Sequence, residues 1–381
     1  MRKYIILVLI FLPLLGFSQT KLGFQEADSL SYQYYLKGEW NKLITLTNVA
    51  FNEDVDSKFM RQRTGYAYFM TGDYTSAEIQ YEKALEFDRQ DEFTKEYLYY
   101  SALNSGSENS RLYAGNLSAV AAKKLGIKLF NPVGYIDTEY SLKTNQTTTR
   151  SNQIYYRIGI QSELGYKISL YQGFSYYEQI ISKVLTRQPE YVAIVKWNMN
   201  PVWQIKSAYH HLFTNVGNIY YPGNLGLIAL STHLNRFTFE VNASLLKASS
   251  AITKQVGLQA GVVLPGRSNI YFTGSLVGIS ESGSFRAIYS QTAGLKFSKN
   301  LWAEGNITLG NLKNYNTFNS LYVYNSADPT MFRSGISLVY FIGKHLSVLG
   351  NFTFDQQKMS NSTNNNNYYQ YSYSGGLKWK L

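Results

Sequence analysis

Four histidines, His210, His211, His233 and His345, are the residues best suited to acid–base or metal chemistry, and the chain holds no cysteine. Without cysteine, disulfides and thiolate metal sites are excluded. No H-x-x-x-H pair sets two imidazoles on one helical face for zinc, and no G-x-S-x-G turn presents a nucleophilic serine. The histidines fall near the ends of predicted strands and read as interface residues. The expectation is of no enzyme, no metal and no cofactor. A second charged set is more orderly. On a two-residue period Lys167, Lys196, Lys206, Arg286, Lys296 and Arg333 share a polar face with Glu240, Glu304 and Asp355, and Lys378 and Lys380 join them. If these strands close on themselves, that face is a lumen biased to positive charge, which would favour anions.

The elements that place those residues begin near Asn131, where Tyr, Ser, Thr, Asn and Gly take over and charge becomes sparse. Alternation then recurs in one segment after another. "RFTFEVNASLL" sets Phe237, Phe239, Val241, Ala243 and Leu245 against Thr238, Glu240, Asn242 and Ser244. "HLSVLGNFTFD" sets Leu346, Val348, Phe352 and Phe354 against Ser347, Asn351, Thr353 and Asp355. This is the apolar-out, polar-in pattern of a transmembrane barrel, whose strands need about 9–11 residues each. Short turns are expected at Gly165 and at 198–201, 233–236, 264–268, 298–300 and 342–345. Longer loops are expected at about 143–152, 179–188, 213–222, 248–253, 280–284, 312–330 and 357–367. Seven loops and six turns give 14 strands with both ends on the short-turn side. The loop at 312–330 is long enough to fold inward as a plug. A soluble β-sandwich would also alternate, but it explains neither this rhythm nor an apolar face on nearly every strand.

A different pattern precedes the strands. Gly38, Gly72 and Gly106 are spaced by 34 residues (72 − 38 and 106 − 72), with Trp40 and Tyr74 two positions after the first two. The unit "GYAYFMTGDYTSAEIQYEKALEFD" carries Gly65, Tyr68, Ala77, Tyr81 and Ala84 at tetratricopeptide (TPR) spacing. Small residues at Gly65 and Ala77 let paired helices approach, while Tyr68 and Tyr81 fill the space between repeats. After Glu92 the pattern degenerates, as a terminal repeat does.

The first residues read as an export signal. Arg2 and Lys3 precede the apolar run Tyr4 to Leu15, and Gly16 and Ser18 stand before Gln19. The expected division is a signal peptide at 1–18, a TPR-like helical domain at 19–128 and a barrel at 129–381, making an α + β two-domain protein. Charge divides the same way. Residues 1–128 hold 15 basic and 15 acidic side chains, and the rest hold 21 and 10, which carries the whole net charge of +11. Export and this confinement argue against nucleic acid as the partner.

TPR-like repeats followed by one barrel resemble the YaiO-type outer membrane proteins and, more distantly, the exopolysaccharide exporters of the PgaA and BcsC kind. The last strand, "YYQYSYSGGLKWKL", resembles the aromatic-rich terminal strand read by the barrel assembly machinery. The resemblance implies the outer membrane, contact with its lipid and lipopolysaccharide, and a helical domain in the periplasm open to a protein partner. Two functions stay open: a pore for a polar or anionic solute or for saccharide export, and a non-conducting anchor that presents the helical domain.

Overall fold

A computed structural model describes residues 22–127, 134–145, 149–248, 251–343, 345–359 and 367–380. The signal-peptide segment 1–18 lies outside the described residues. The helical part contains α1 (Phe24–Lys37), α2 (Trp40–Asn52), α3 (Lys58–Thr71), α4 (Tyr74–Phe87), α5 (Glu92–Ser105), α6 (Ser110–Ala114) and α7 (Ala119–Lys124).

The three glycines in phase end α1, α3 and α5. Gly38, Gly72 and Gly106 adopt φ of 69°, 84° and 80°, the left-handed cap that a residue with Cβ enters only with strain. Four later starts are capped by side chains, with Ser57, Asp73, Asp91 and Ser118 accepting from the amides of Met60, Ser76, Thr94 and Ala121. Trp40 and Tyr74 open the second helices of the first two hairpins. There they meet Tyr35 and Tyr66, and Phe69, edge to face. Ala77, Tyr81 and Ala84 are fully buried, and Tyr68 packs beside them with its hydroxyl receiving Asn48 Nδ2 at 3.1 Å. The third hairpin is broken, its second helix reduced to the short α6 and α7.

Gly65 shows why that repeat position is small. A Cβ there would lie 2.9 Å from Tyr81 Cζ, with no room for the ring to retreat inside a filled cluster. Gly65→Ala should therefore destabilise the helical domain by about 1–3 kcal/mol despite alanine's better helix propensity. Melting followed by far-UV circular dichroism reads this, and an unchanged or raised midpoint would contradict the packing.

The second part is one sheet. Its first seven strands are β1 (Gly134–Asn145), β2 (Gln153–Leu164), β3 (Ile168–Ile181), β4 (Val184–Asn198), β5 (Trp203–Val216), β6 (Ile219–Leu234) and β7 (Phe237–Ala248). The other seven are β8 (Ala251–Val263), β9 (Tyr271–Glu281), β10 (Ser284–Ser298), β11 (Leu301–Leu309), β12 (Thr330–Ile342), β13 (Leu346–Lys358) and β14 (Asn367–Lys380). Each is antiparallel to its sequence neighbours, and β1 pairs with β14 from Tyr135↔Lys380 to Asn145↔Gln370, closing a 14-stranded barrel. Closure leaves no sheet edge. Strand phase follows the sequence: Phe237, Phe239, Val241 and Leu245 lie outside, and Asn242 and Ser244 are buried within.

The loop rhythm does not hold. Three of the expected long loops are two-residue hairpins: Ser182–Lys183, Gly217–Asn218 and Ser282–Gly283. Ser182, Lys183, Gly217, Ser282 and Gly283 all have positive φ, as the primed turns of tight hairpins require. The polar residues read as loop stay in the ladder, with Gln179 paired to Thr186 and Ile181 to Val184. Polarity there reports contact with water, not the end of hydrogen bonding, so strands reach 16 residues. Among the described residues the one long connection is 310–329, between β11 and β12.

Candidate functional site

Alternation makes the barrel interior polar, but β4 and β6 break the rule. Val192 and Ile194 on β4, with Leu225, Leu227 and Ala229 on β6, face inward as apolar residues and are buried. Val277 and Ile279 on β9 and Ile288 on β10 form a second apolar wall. Bare apolar walls in a water-filled lumen are unfavourable, and the connection 310–329 covers both. It enters from the end opposite the helical domain and folds as a small hairpin, with Asn316 paired to Val323. Leu312, Tyr315 and Phe318 pack on the second wall, and Val323 with Leu321 on the first.

Polar contacts fix this plug along its length. At its root the Arg150 guanidinium donates to both Asp328 oxygens at 2.7 and 3.0 Å, and the Tyr368 hydroxyl donates to Asp328 at 2.9 Å. Arg150 and Asp328 are each almost fully buried. Deeper, Gln255 accepts from the Asn316 amide at 3.1 Å and donates to its carbonyl at 2.8 Å. Lys206 Nζ donates to the Phe318 carbonyl, and His210 Nε2 meets the Ser320 carbonyl at 2.7 Å. Beside the plug remains a cavity of about 460 Å³, lined on the far wall by Ser337, Asn351, Thr353, Ser372 and Ser374.

The helical domain covers the other mouth. Arg236 Nη2 is an ion-pair partner of Asp73 at 3.6 Å, and the Gly266 amide donates to Asp73 at 2.9 Å. Asn109 Nδ2 donates to the Pro201 carbonyl at 2.8 Å, and Arg111 Nε to that of Gly165 at 3.0 Å. Glu108 reaches into the mouth, accepting from Lys196 at 2.6 Å and from Gln204 at 2.7 Å. A cavity of about 1080 Å³ lies between this cap and the plug tip, bordered by residues of both, among them Glu108, Asn319 and Leu321.

Of the residues expected in the lumen, Glu304, Arg333 and Asp355 line the cavity beside the plug, and Lys196, Lys206, Lys378 and Lys380 line the one beneath the cap. Lys167 sits exposed in the β2–β3 turn, because the strand ends at Leu164. Four of the expected cations are paired with carboxylates. Lys196 meets Glu108, Lys206 meets Glu240 at 2.7 Å, Arg286 meets Glu281 at 3.0 Å, and Arg333 meets Asp355 at 3.7 Å. Arg333 also donates to the Tyr324 hydroxyl at 2.8 Å, while Glu304 accepts from Tyr271. Lys296 lies 6.0 Å from the Trp302 ring centre. Lys196 and Lys206 stand directly opposite on β4 and β5, where two like charges need neutralising. The cap neutralises one, and Glu240 with the plug tip the other. Strand phase alone missed Arg150, His210, Gln255, Asp328 and Tyr368. The signal for the plug was a run apolar on both faces, Leu225 to Leu230 in β6, which one-sided alternation does not produce.

Next to the segment that carries Glu108 and Arg111 lie two partly buried carboxyls on α4. Glu78 accepts from Ser105 at 3.2 Å and Ser107 at 3.0 Å, and Glu82 accepts from the Tyr113 hydroxyl. Burial pushes Glu78 up to about 8, Glu82 adding to it against these hydroxyl bonds, and burial raises Glu82 as well. A folded value near 8 against an ordinary 4.5 means the folded domain retains a proton that the unfolded chain loses. Stability of the helical domain is then full below about pH 4.5, falls as pH rises, and levels off above about pH 8. Glu78→Gln should flatten that slope in thermal melts across the window. A slope that persists in the variant would assign it to other groups.

No family model and no curated protein matches the chain. Solved structures that resemble the strand region include outer membrane protein Omp33 of Acinetobacter baumannii, at 9% identity over 67% of this chain and 100% of that one, with a TM-score of 0.39. The CymD monoaromatic hydrocarbon channel shows 9% identity over 67% and 90%, with a TM-score of 0.47. The Pseudomonas putida toluene transporter TodX shows 7% over 69% and 93%, with a TM-score of 0.44. At these values no function is taken from them. The fold and site define a class on their own: a 14-stranded antiparallel barrel, plugged by its own β11–β12 connection and capped by helical hairpins.

Proposed function

We propose that this chain is an outer-membrane barrel whose resting state is closed, with its helical domain a TPR-type dock on the periplasmic mouth. The observation that carries the reading is the plug 310–329, rooted on Arg150 and seated on two internal apolar walls. The exterior supports the membrane: Ile158, Phe174, Ile228, Val241, Leu258 and Ile336 all stand exposed around the barrel, as lipid contact requires. Tyr369, Tyr373, Leu377 and Trp379 continue that surface on β14, where assembly machinery and lipopolysaccharide would meet it.

Displacement of the plug would open a polar path along the wall of Ser337, Asn351, Thr353 and Ser372. Those side chains suit an uncharged polar solute better than an anion, since Lys196, Lys206, Arg286 and Arg333 are each paired with a carboxylate. The pairing also favours the second reading, an anchor that never conducts and only presents its helical domain. Orientation is tested by protease on cells. Intact cells should keep the helical domain and permeabilised cells should lose it, whereas cleavage in intact cells would place the domain outside.

A further inference from the structure

The innermost part of the plug is held mainly by its backbone. Arg286 donates to the carbonyls of Asn311 and Lys313, Gln255 brackets the amide and carbonyl of Asn316, Lys206 donates to the Phe318 carbonyl, and His210 to that of Ser320. These contacts span residues 311–320, and one side chain joins them, with Asn314 Nδ2 donating to Glu281 at 2.8 Å. Between them Leu312, Tyr315 and Phe318 enter the wall of Val277, Ile279 and Ile288, with the Tyr315 hydroxyl bonded to Ser290. By contrast the root of the plug is held by its side chains, with Asp328 on Arg150 and Asn325 on Gln188 at 3.1 Å. A wall that pairs with main-chain amides and carbonyls and supplies an apolar strip has the determinants of peptide recognition, in which backbone bonds give affinity and pockets set spacing.

We propose that the inner wall formed by β5, β8, β9 and β10 is a binding site for a polypeptide segment that takes two successive turns and bears apolar residues three apart, and that residues 311–320, which turn at 312–315 and 317–320, occupy it as an internal competitor. Such a segment arriving through either mouth would displace the plug by taking over the same four polar side chains. The site depends on the packing of the plug alone and stands whether or not the barrel conducts.

The chain has no cysteine, so Ser320→Cys places a single thiol at a fully buried position. Maleimide labelling of the refolded full chain then measures how often the plug tip leaves the wall. Two peptides serve as probes: residues 311–320 themselves, and a version keeping Leu312, Asn314, Tyr315 and Phe318 with every other position replaced by serine or glycine. A third carries proline at the position of Asn316, which removes the amide that Gln255 receives. The first two should speed labelling by about tenfold at about ten times their Kd, by mass action, and the proline peptide should not. The same set is run on Ser320→Cys with Asp328→Asn, whose loosened root ensures that the plug does leave. Failure of both active peptides on that background overturns the proposal. So does acceleration by the native sequence alone, which would make the contact a private latch. Unboiled gel migration confirms that each variant is folded.

Discussion

Replacing residues 312–324 with a short glycine–serine linker should turn a barrel that passes little or no current into one with steady conductance in a planar bilayer. The strand ladder does not run through the plug, since every strand of the barrel pairs with its two neighbours. The excision leaves closure intact. What it removes is the filling: Leu312, Tyr315, Phe318 and Val323 leave the lumen, and the polar cavity of about 460 Å³ joins the space they occupied. Fourteen strands lie between the packed eight-stranded barrels and the open 16-stranded ones, so width permits either state and the plug decides. Selectivity should be weak, because Lys206 keeps Glu240 and Arg333 keeps Asp355 after excision. Strong anion selectivity would show that those pairs open. Silence in the excised chain, and again when residues 22–127 are also removed, would establish the anchor reading instead.

Arg150→Ala should be the most damaging single substitution in the strand region, at about 3–5 kcal/mol. The change strands the Asp328 carboxylate, about 3% exposed, with the Tyr368 hydroxyl and without its cation. A buried charge left without its partner costs far more than the pair itself contributes, so Arg150→Met with Asp328→Leu should recover most of the loss. The midpoint of urea unfolding in lipid vesicles reads both. A single substitution without effect would mean that water reaches the root of the plug and that the pair is not buried in solution.

Some of this structure was legible in the residues and some was not, for identifiable reasons. Gly38, Gly72 and Gly106 could be read because a left-handed cap admits few residue types, so chemistry and position coincide. The inward set from Lys196 to Asp355 could be read because a strand alternates with a fixed period of two. Loop lengths could not, because Gln179 or Thr186 looks the same to a polarity count whether it is paired above a membrane or free in a loop. Partnerships could not either. Arg150 and Asp328 lie 178 positions apart, and no local pattern joins them. Pairing also offsets much of the expected positive charge, since the carboxylates that meet Lys196, Lys206, Arg286 and Arg333 stand on another strand or on the helical cap.

The most direct test of the resting state joins the plug to the wall. In a chain without native cysteine, Gln255→Cys and Asn316→Cys place two thiols where the wall brackets the plug backbone, and a short thiol–thiol cross-linker is added to the folded protein in membranes. The control pair is Gln255→Cys with Lys299→Cys, the latter exposed in the β10–β11 turn at the far end of the strands. A seated plug predicts rapid intramolecular cross-linking that the control pair does not show. Cross-linking no faster than the control would mean that residues 310–329 do not occupy the lumen, and that the barrel rests open.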